Sequence, residues 1–441
     1  MIGYQSLYDK MSEGLTPDSN LKVWEWSDKH MVIPKSTGSQ EYGSYRTQRT
    51  PHAREIMDCL SDDHECKVVV AMVASQMFKT QIGMNWFGAT VHQSPSNFLW
   101  LMPTGALAKR LSARVDKVIK AVDVLRERVA KPNSRDAKNT QEVKEYIGGT
   151  LFMPTAGSAA NLAEVPARRV AIDELDRCDA NVDQEGDPVK LAEARQTTFE
   201  HNKKSYYYSS PTIDGESRIQ SLYKQGTQRY ALAECIHCGH AQDLLFENLS
   251  IVDGEAQYPC IECGGLHKES DKSSMFKRGL WSEPVIASTT ESFTASAMFL
   301  PYGWLSWTGL HKQYADAKVL LDLGDDSEMI VFYNTRLARC WDRATETTQA
   351  STLMTRAEDY RLGTVPLPVT VLTAAIDTQG DRLEIKVVGW ADQMECWIVD
   401  YRIINADPSD EATWKQAYDL LTVPYAHAGG STIPVSQIFV D

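Results

Sequence analysis

Apolar residues fall in two rhythms along this chain. Short unbroken runs, Lys67-Val-Val-Val-Ala-Met-Val73 and Asn97-Phe-Leu-Trp-Leu-Met102, predict strands buried on both faces. Arg169-Val-Ala-Ile172 predicts a third strand and Ser205-Tyr-Tyr-Tyr-Ser209 a fourth. Between them Leu107, Leu111, Val115, Val118, Val122, Leu125 and Val129 recur at spacings of three and four, which predicts one amphipathic helix. Strands separated by helices over 67–210 imply a parallel sheet covered on both faces.

The C-terminal part alternates differently. Val369-Thr-Val-Leu-Thr-Ala-Ala-Ile376 runs into Asp377 and turns at Gly380-Asp381. Two in-and-out strands follow, over 382–390 and 395–400, then a helical stretch near 410–421 and a last strand over 435–440 that ends at Asp441. Three meandering strands, a helix and a fourth strand are the start of an RNase H-like sheet, whose first and fourth strands are neighbours. Asp377 and Asp441 then converge and can share Mg²⁺ for two-metal phosphodiester cleavage. Two strand-end acids of an ordinary α/β fold are the alternative.

Composition narrows the class. A chain of 441 residues, 43% hydrophobic and 24% charged, suits a globular protein of two or three domains. No apolar run approaches a membrane span, and the N-terminus lacks a basic-then-apolar signal pattern, so a cytoplasmic protein is expected. The net charge of −14 excludes a globally basic nucleic-acid coat. It leaves room for a local patch: over 104–147, eleven Lys and Arg stand against six acids. That segment is either a surface for DNA phosphates or the wet face of a helix.

The candidate chemistry sits at strand ends. After the first run comes Ala74-Ser-Gln-Met-Phe-Lys79-Thr80, a cation and a hydroxyl where a helix begins. In a P-loop, Lys79 contacts the β/γ-phosphates, Thr80 reaches Mg²⁺, and the backbone amides of 75–80, those of Ser75 and Gln76 included, form an anion nest. Val73 and Phe78 occupy the two glycine positions of the full signature, so a buried strand followed by an ordinary helix stays open. The third run ends in Asp173-Glu174. Asp173 would help hold Mg²⁺ and Glu174 would position water, which favours a P-loop ATPase. Ser209-Ser-Pro-Thr212 is a hydroxyl cluster that either senses the γ-phosphate and couples it to motion or forms a helix cap or turn.

Nine cysteines in a chain of this length suggest metal ligands or scattered thiols rather than a disulfide framework. Cys235-Ile-His-Cys238 and Cys260-Ile-Glu-Cys263 are two Cys-x-x-Cys knuckles, each followed by glycine. Four such thiolates suit tetrahedral structural Zn²⁺ with no open catalytic position. His237, His240 and His267 are read as bystanders, and Cys59, Cys66, Cys178, Cys340 and Cys396 as isolated thiols.

These stretches together resemble the large terminase subunits of tailed bacteriophages, in the lambda-type GpA branch. The resemblance is carried by residues 68–80, 170–176 and 209–213, by Phe-Leu-Pro-Tyr-Gly-Trp-Leu-Ser-Trp at 299–307, by 332–337 and by Ala-Ile-Asp-Thr-Gln-Gly-Asp-Arg at 375–382. It implies a motor that drives double-stranded DNA into a procapsid with ATP, and a nuclease that cuts concatemers. The ligands implied are ATP, Mg²⁺ and Zn²⁺. The partners implied are a small terminase subunit, a portal on the procapsid and further copies in a ring, in the cytoplasm of the infected bacterial host and with no membrane.

By the resemblance, Lys79 and Thr80 match the phosphate-loop pair, Asp173 the Mg²⁺ carboxylate and Glu174 the catalytic acid. Ser210 and Thr212 lie in the coupling motif. Asp377 and Asp441 match nuclease carboxylates, and Tyr45 and Gln48 sit where relatives contact the base. The charge-stabilising arginine is open among Arg110, Arg114, Arg168, Arg169, Arg195 and Arg218. Because the chain stops at the fourth nuclease strand, a truncated nuclease domain lacking its third carboxylate, with little cutting activity, is expected.

The expected architecture is α/β. An N-terminal base region spans 1–60, and a P-loop ATPase core of RecA/ASCE type spans 61–230. A zinc ribbon follows over 231–280, a helical subdomain or linker over 281–365, and an incomplete RNase H-like domain over 366–441. Two other functions fit parts of the pattern. One is a helicase-like or repair ATPase. The other is a zinc-stabilised DNA-binding scaffold that does not turn over ATP.

Overall fold

The computed structural model describes residues 21–129, 140–157, 166–179, 181–182, 186–342, 358–392 and 395–441. The chain forms two compact units, 1–344 and 345–441. The basic residues Lys131, Arg135 and Lys138 of the 104–147 segment lie outside the described residues.

The first unit is built on one mixed sheet. Its strands are β1 (Val68–Val73), β2 (Phe98–Leu101), β3 (Val143–Tyr146), β4 (Gly149–Phe152), β5 (Arg169–Asp173), β6 (Lys204–Ser209), β7 (Arg229–Glu234) and β8 (Ala241–Gln242). Outside the sheet β9 (Ser250–Val252), β10 (Glu255–Pro259) and β11 (Leu266–His267) pair with one another. The large sheet is completed by β12 (Leu280–Trp281) and β13 (Thr290–Ala295). Its order is β8-β7-β13-β1-β6-β5-β2-β4-β3, with β12 also paired to β7. From β7 through β4 the pairings are all parallel.

The four strands predicted from apolar runs sit side by side at the centre, and their residues are buried because helices cover both faces. One neighbour of β1 was not foreseen. The Thr290-Glu-Ser-Phe-Thr-Ala run of β13 is too polar to read as a buried strand, yet it pairs with β1 along its whole length. Glu291 survives there because it accepts from the Thr227 hydroxyl.

The helices are α1 (Val23–His30), α2 (Ala53–Cys59), α3 (Lys79–Gln93), α4 (Gly105–Ala121), α5 (Asp123–Arg128), α6 (Pro188–Ala194), α7 (Arg218–Gln225), α8 (Trp307–Asp322) and α9 (Ser327–Phe332). The helix predicted from 107 to 129 is broken into α4 and α5. Thr104 caps α4 by accepting from the Leu107 amide, and Val122 ends it with extended backbone at φ −101°, ψ 112°. Asp123 then provides an acid in the first turn of α5, where a new helix dipole favours one. Leu111 to Val129 of the apolar set stay buried through the break and Leu107 is half-buried, so the periodicity reported the buried face but not helix continuity.

The second unit carries β14 (Val371–Thr378), β15 (Leu383–Trp390), β16 (Cys396–Ile404), helix α10 (Glu411–Leu421) and β17 (Val435–Val440). The sheet order is β16-β15-β14-β17, antiparallel except for the parallel pair β14/β17. The first and fourth strands are therefore neighbours. A core of Leu372, Ala374, Ile376, Leu383, Ile385 and Val387 lies on one face, covered in part by Ala417 and Leu421 of α10.

Candidate functional site

The loop 74–78 leaves β1 at the C-terminal edge of the parallel strands and enters α3 at Lys79. No glycine is available in it, and the turn is made by Gln76 in the left-handed region at φ 61°. Such a conformation is costly for a residue with a Cβ, so the surrounding contacts must hold it. They do: the Ala74 amide donates to Ala295 O at 2.9 Å and the Ser75 amide to Thr335 O at 2.8 Å. Val73 and Phe78, at the two glycine positions, are buried as core residues.

Lys79 is buried, and its Nζ donates to Ser210 Oγ at 2.8 Å and to Val73 O at 3.1 Å. Glu174 Oε1 is 4.0 Å away. Burial lowers the Lys79 pKa, and the nearby Glu174 and Asp173 carboxylates oppose that shift. Asp173 ends β5, where its Oδ2 accepts from Thr80 Oγ1 at 3.3 Å. Burial, reinforced by the Glu174 charge, pushes its carboxyl up to about 6. Glu174 sits in the left-handed region at φ 48°, ψ 52°. That strained backbone separates its carboxylate from the direction of β5.

Lys79, Thr80 and Glu174 border a cavity of about 430 Å³ that is also lined by the rest of 75–81, by Arg114 and Trp304, and by ten residues between Thr37 and Thr50 together with Ile33, while Asp173 is not among the lining residues. Tyr45 lines it and is buried. Gln48 is exposed and is not among the lining residues. The far wall was not read from the sequence. There Glu41 Oε1 accepts from Arg49 Nε at 2.7 Å and from Trp304 Nε1 at 3.1 Å. Of the six arginines considered, Arg114 alone lines the cavity. Its Nη2 donates to Gln81 Oε1 at 2.7 Å. Arg168 and Arg169 instead pair with Asp62, and Arg218 with Asp187.

Two separate hydroxyl contacts follow β6. Ser75 and Ser210 hydroxyls are 3.2 Å apart. Thr212 Oγ1 donates to Asp176 Oδ2 at 3.0 Å, and Asp176 also accepts from the Ser217 hydroxyl and the Ile219 amide at the start of α7.

The two cysteine knuckles face each other. Cys235–Cys263 and Cys238–Cys260 sulfurs are 3.8 and 3.7 Å apart, and all four lie within 4.8 Å of one another. Four sulfurs at Zn–S bonds of about 2.3 Å in a tetrahedron are about 3.8 Å apart, so the donor set fits Zn²⁺. Each turn is closed by a glycine at positive φ, Gly239 at 77° and Gly264 at 70°. His267 is buried with Nδ1 2.9 Å from Tyr258 O, outside the sulfur cluster.

In the second unit Asp377 lies near the end of β14 and Asp441 follows β17. Ile376 pairs with Val440, and the Asp441 amide donates to Ile376 O at 3.0 Å. The two acids therefore follow paired positions of adjacent parallel strands. Asp377 Oδ2 accepts from Gln379 Nε2 at 2.8 Å.

Known proteins place the chain in a class. Residues 39–281 match the family model described as phage terminase large subunit gpA, ATPase domain, and residues 290–441 the one described as terminase large subunit gpA, endonuclease domain. The large terminase subunit of Escherichia phage lambda is 26% identical over 95% of this chain and 68% of its own length. That of Enterobacteria phage P21 is 25% identical over 96% and 68%. The crystal structure of the HK97 bacteriophage large terminase matches at 12% identity and a TM-score of 0.44, covering 92% of this chain and 71% of that one.

The chain belongs to the lambda-type gpA family of phage terminase large subunits. It is an enzyme with an ATPase and an endonuclease domain, of the kind that acts on DNA in ATP-driven packaging and concatemer cleavage. No helix among the described residues is long and apolar enough to cross a membrane.

Proposed function

We propose that the cavity beside β1 is a P-loop site for Mg-ATP and that Lys79, Thr80, Asp173 and Glu174 form its hydrolytic centre. One observation carries this reading. The Thr80 hydroxyl, in the first turn of α3, and the Asp173 carboxylate, at the end of β5, meet at 3.3 Å beside the buried Lys79 ammonium. Hard oxygen donors of this kind suit Mg²⁺, which keeps few protein ligands. Bound Mg²⁺ would neutralise phosphate charge. Lys79 would hold the β/γ-phosphates, the loop amides from Gln76 onward would cradle them while the Ser75 amide stays on Thr335 O, and Glu174 would orient the attacking water. Tyr45 faces the base side of the cavity, and Arg114 stabilises charge on the transferring group. Ser210 and Thr212 carry the occupancy of the site to Asp176 and α7.

One strand, β6, lies between β1 and β5, an order that supports an ASCE-type ATPase core. The four cysteines 235, 238, 260 and 263 form a Zn²⁺ ribbon. The second unit is an RNase H-like nuclease fold in which Asp377 and Asp441 bind Mg²⁺. The exposed lysines and arginines of α4, Lys109, Arg110, Lys117 and Lys120, grip phosphates of double-stranded DNA without reading sequence. A small terminase subunit selects that DNA, and a ring of copies works at the procapsid portal in the host cytoplasm.

The test is DNA-stimulated ATP hydrolysis by the chain beside Glu174→Gln. Turnover lost in the variant, with ATP binding retained, is the expected result. Equal turnover in both proteins would overturn the assignment.

A further inference from the structure

Cys59 and Cys66, read from sequence as isolated thiols, are brought together. α2 ends at Cys59, the chain loops back through 60–65, and Cys66 stands two residues before β1. Both thiols are buried, at 2% and 8% exposure. His64 completes the group: one donor atom from each of Cys59, His64 and Cys66 lies within 4.8 Å of the others. Cys59 Sγ is 3.8 Å from His64 Nε2. Sulfur and nitrogen on one tetrahedral Zn²⁺, at about 2.3 and 2.0 Å, are about 3.5 Å apart, so only a small closure is needed.

The loop is held in this shape from outside the cluster. Lys204 Nζ, buried at the start of β6, donates to Cys59 O at 3.0 Å, to His64 O at 2.7 Å and to Cys66 O. Its donors are thus directed to main-chain carbonyls. The sulfurs and the imidazole remain as a convergent set of soft donors, and Cys66 Sγ donates to Cys59 O at 3.2 Å.

We propose that Cys59, His64 and Cys66 form a second soft-metal site, distinct from the four-cysteine cluster, that takes one Zn²⁺ and leaves its fourth position to water. Binding releases two thiol protons to solvent and forms two metal–sulfur bonds and one metal–nitrogen bond. His64 Nδ1 accepts from the Cys66 amide at 3.2 Å, which leaves the proton on Nε2. Coordination through Nε2 moves that proton to Nδ1, so the ring turns away from the amide. The cation would clamp the end of α2 to the start of β1, at the opposite end of the strand from the loop 74–78.

The experiment counts Zn²⁺ per chain after equilibrium dialysis, for the wild type, the double variant Cys59→Ser/Cys66→Ser, and His64→Ala. The wild type is expected to hold one equivalent more than the double variant, whatever the four-cysteine cluster holds. His64→Ala keeps both thiols, and its extra equivalent should bind at least about tenfold more weakly. The same titrations with Cd²⁺ should lose part of the sulfur-to-metal charge-transfer band in the double variant. Equal metal content and an unchanged band in all three proteins would overturn the proposal. Should the double variant fail to fold, wild-type Zn²⁺ affinity in folded His64→Ala would overturn it equally.

Discussion

Lys79 Nζ donates to the Ser210 hydroxyl at 2.8 Å, which ties the cation of the loop after β1 to the residue that follows β6. The ammonium is thereby aimed before any phosphate arrives, and a buried ammonium deprived of a partner would be costly. Ser210→Ala leaves Lys79 with Val73 O as its remaining neutral partner. A hydrogen bond to a charged group contributes about 1.5–3 kcal/mol. Steady-state assays should therefore show kcat for ATP about tenfold lower in Ser210→Ala, with Ser210→Thr close to wild type and Lys79→Ala inactive. A wild-type kcat in Ser210→Ala would remove Ser210 from the coupling route.

Gln76 makes the left-handed turn that a glycine would make without strain. Its side chain is exposed, so replacing it loses little packing. Gln76→Gly should raise thermal stability by about 0.5–1 kcal/mol, read as a small increase in Tm. Gln76→Pro fixes φ near −65° and should abolish ATP binding by reshaping the loop. A Gln76→Pro protein that binds ATP normally would show that the turn at 76 is not required.

Much of this was visible in the residues, for physical reasons that also explain what was not. Strands buried on both faces must be apolar throughout, so Val68–Val73 and Phe98–Leu101 announce themselves. Metal knuckles need fixed spacing, which makes the cysteine pairs legible. The cavity wall does not follow a local pattern: Glu41 and Trp304 meet across 263 residues. Cys59, His64 and Cys66 were missed because their spacing matches no common knuckle, and only the fold of the 60–65 loop unites them. Tyr45 and Gln48 were paired by resemblance, but the backbone turns Tyr45 inward and leaves Gln48 in solvent.

Asp62 anchors the edge of the first unit by accepting from both Nη2 contacts of Arg169, at 2.7 and 2.8 Å. Burial is the largest single influence and favours its neutral form, but the Arg169 and Arg168 charges and the hydrogen bonds from Ser94 and Arg169 together outweigh it and hold its carboxyl below the usual 3.8. A folded value below the unfolded one means the pair stabilises the protein above pH 3.8 and is lost as the pH falls through the lowered folded value. Asp62→Asn strands a nearly buried guanidinium and should cost about 3 kcal/mol at neutral pH. Urea melts of both proteins from pH 7 to pH 3 should show the gap narrowing toward the acid end. A gap independent of pH would mean that packing, not charge, is what Asp62 supplies.

Arg114 is the arginine that α4 turns into the cavity, and its position is set by a chain of amides. Gln81, one residue past Thr80, accepts from Arg114 Nη2 and donates from its own Nε2 to Asn85 Oδ1 at 2.8 Å. The guanidinium is thus fixed relative to the residues that would hold phosphate and metal, and burial lowers its pKa against the opposing influence of Tyr208 and Asp173. A charge placed this way acts on the transition state more than on bound ATP. Arg114→Ala should lower kcat about 10³-fold while changing ATP affinity only a few-fold. Arg114→Lys should recover little, because a point charge cannot present the same planar fork. Gln81→Ala keeps the arginine but loosens it, so a loss of about tenfold in kcat is expected, with KM unchanged. If Arg114→Ala hydrolyses ATP at the wild-type rate, the stabilising charge must come from elsewhere, and a mixed assembly of Arg114→Ala and Glu174→Gln chains would then tell whether a neighbouring subunit supplies it.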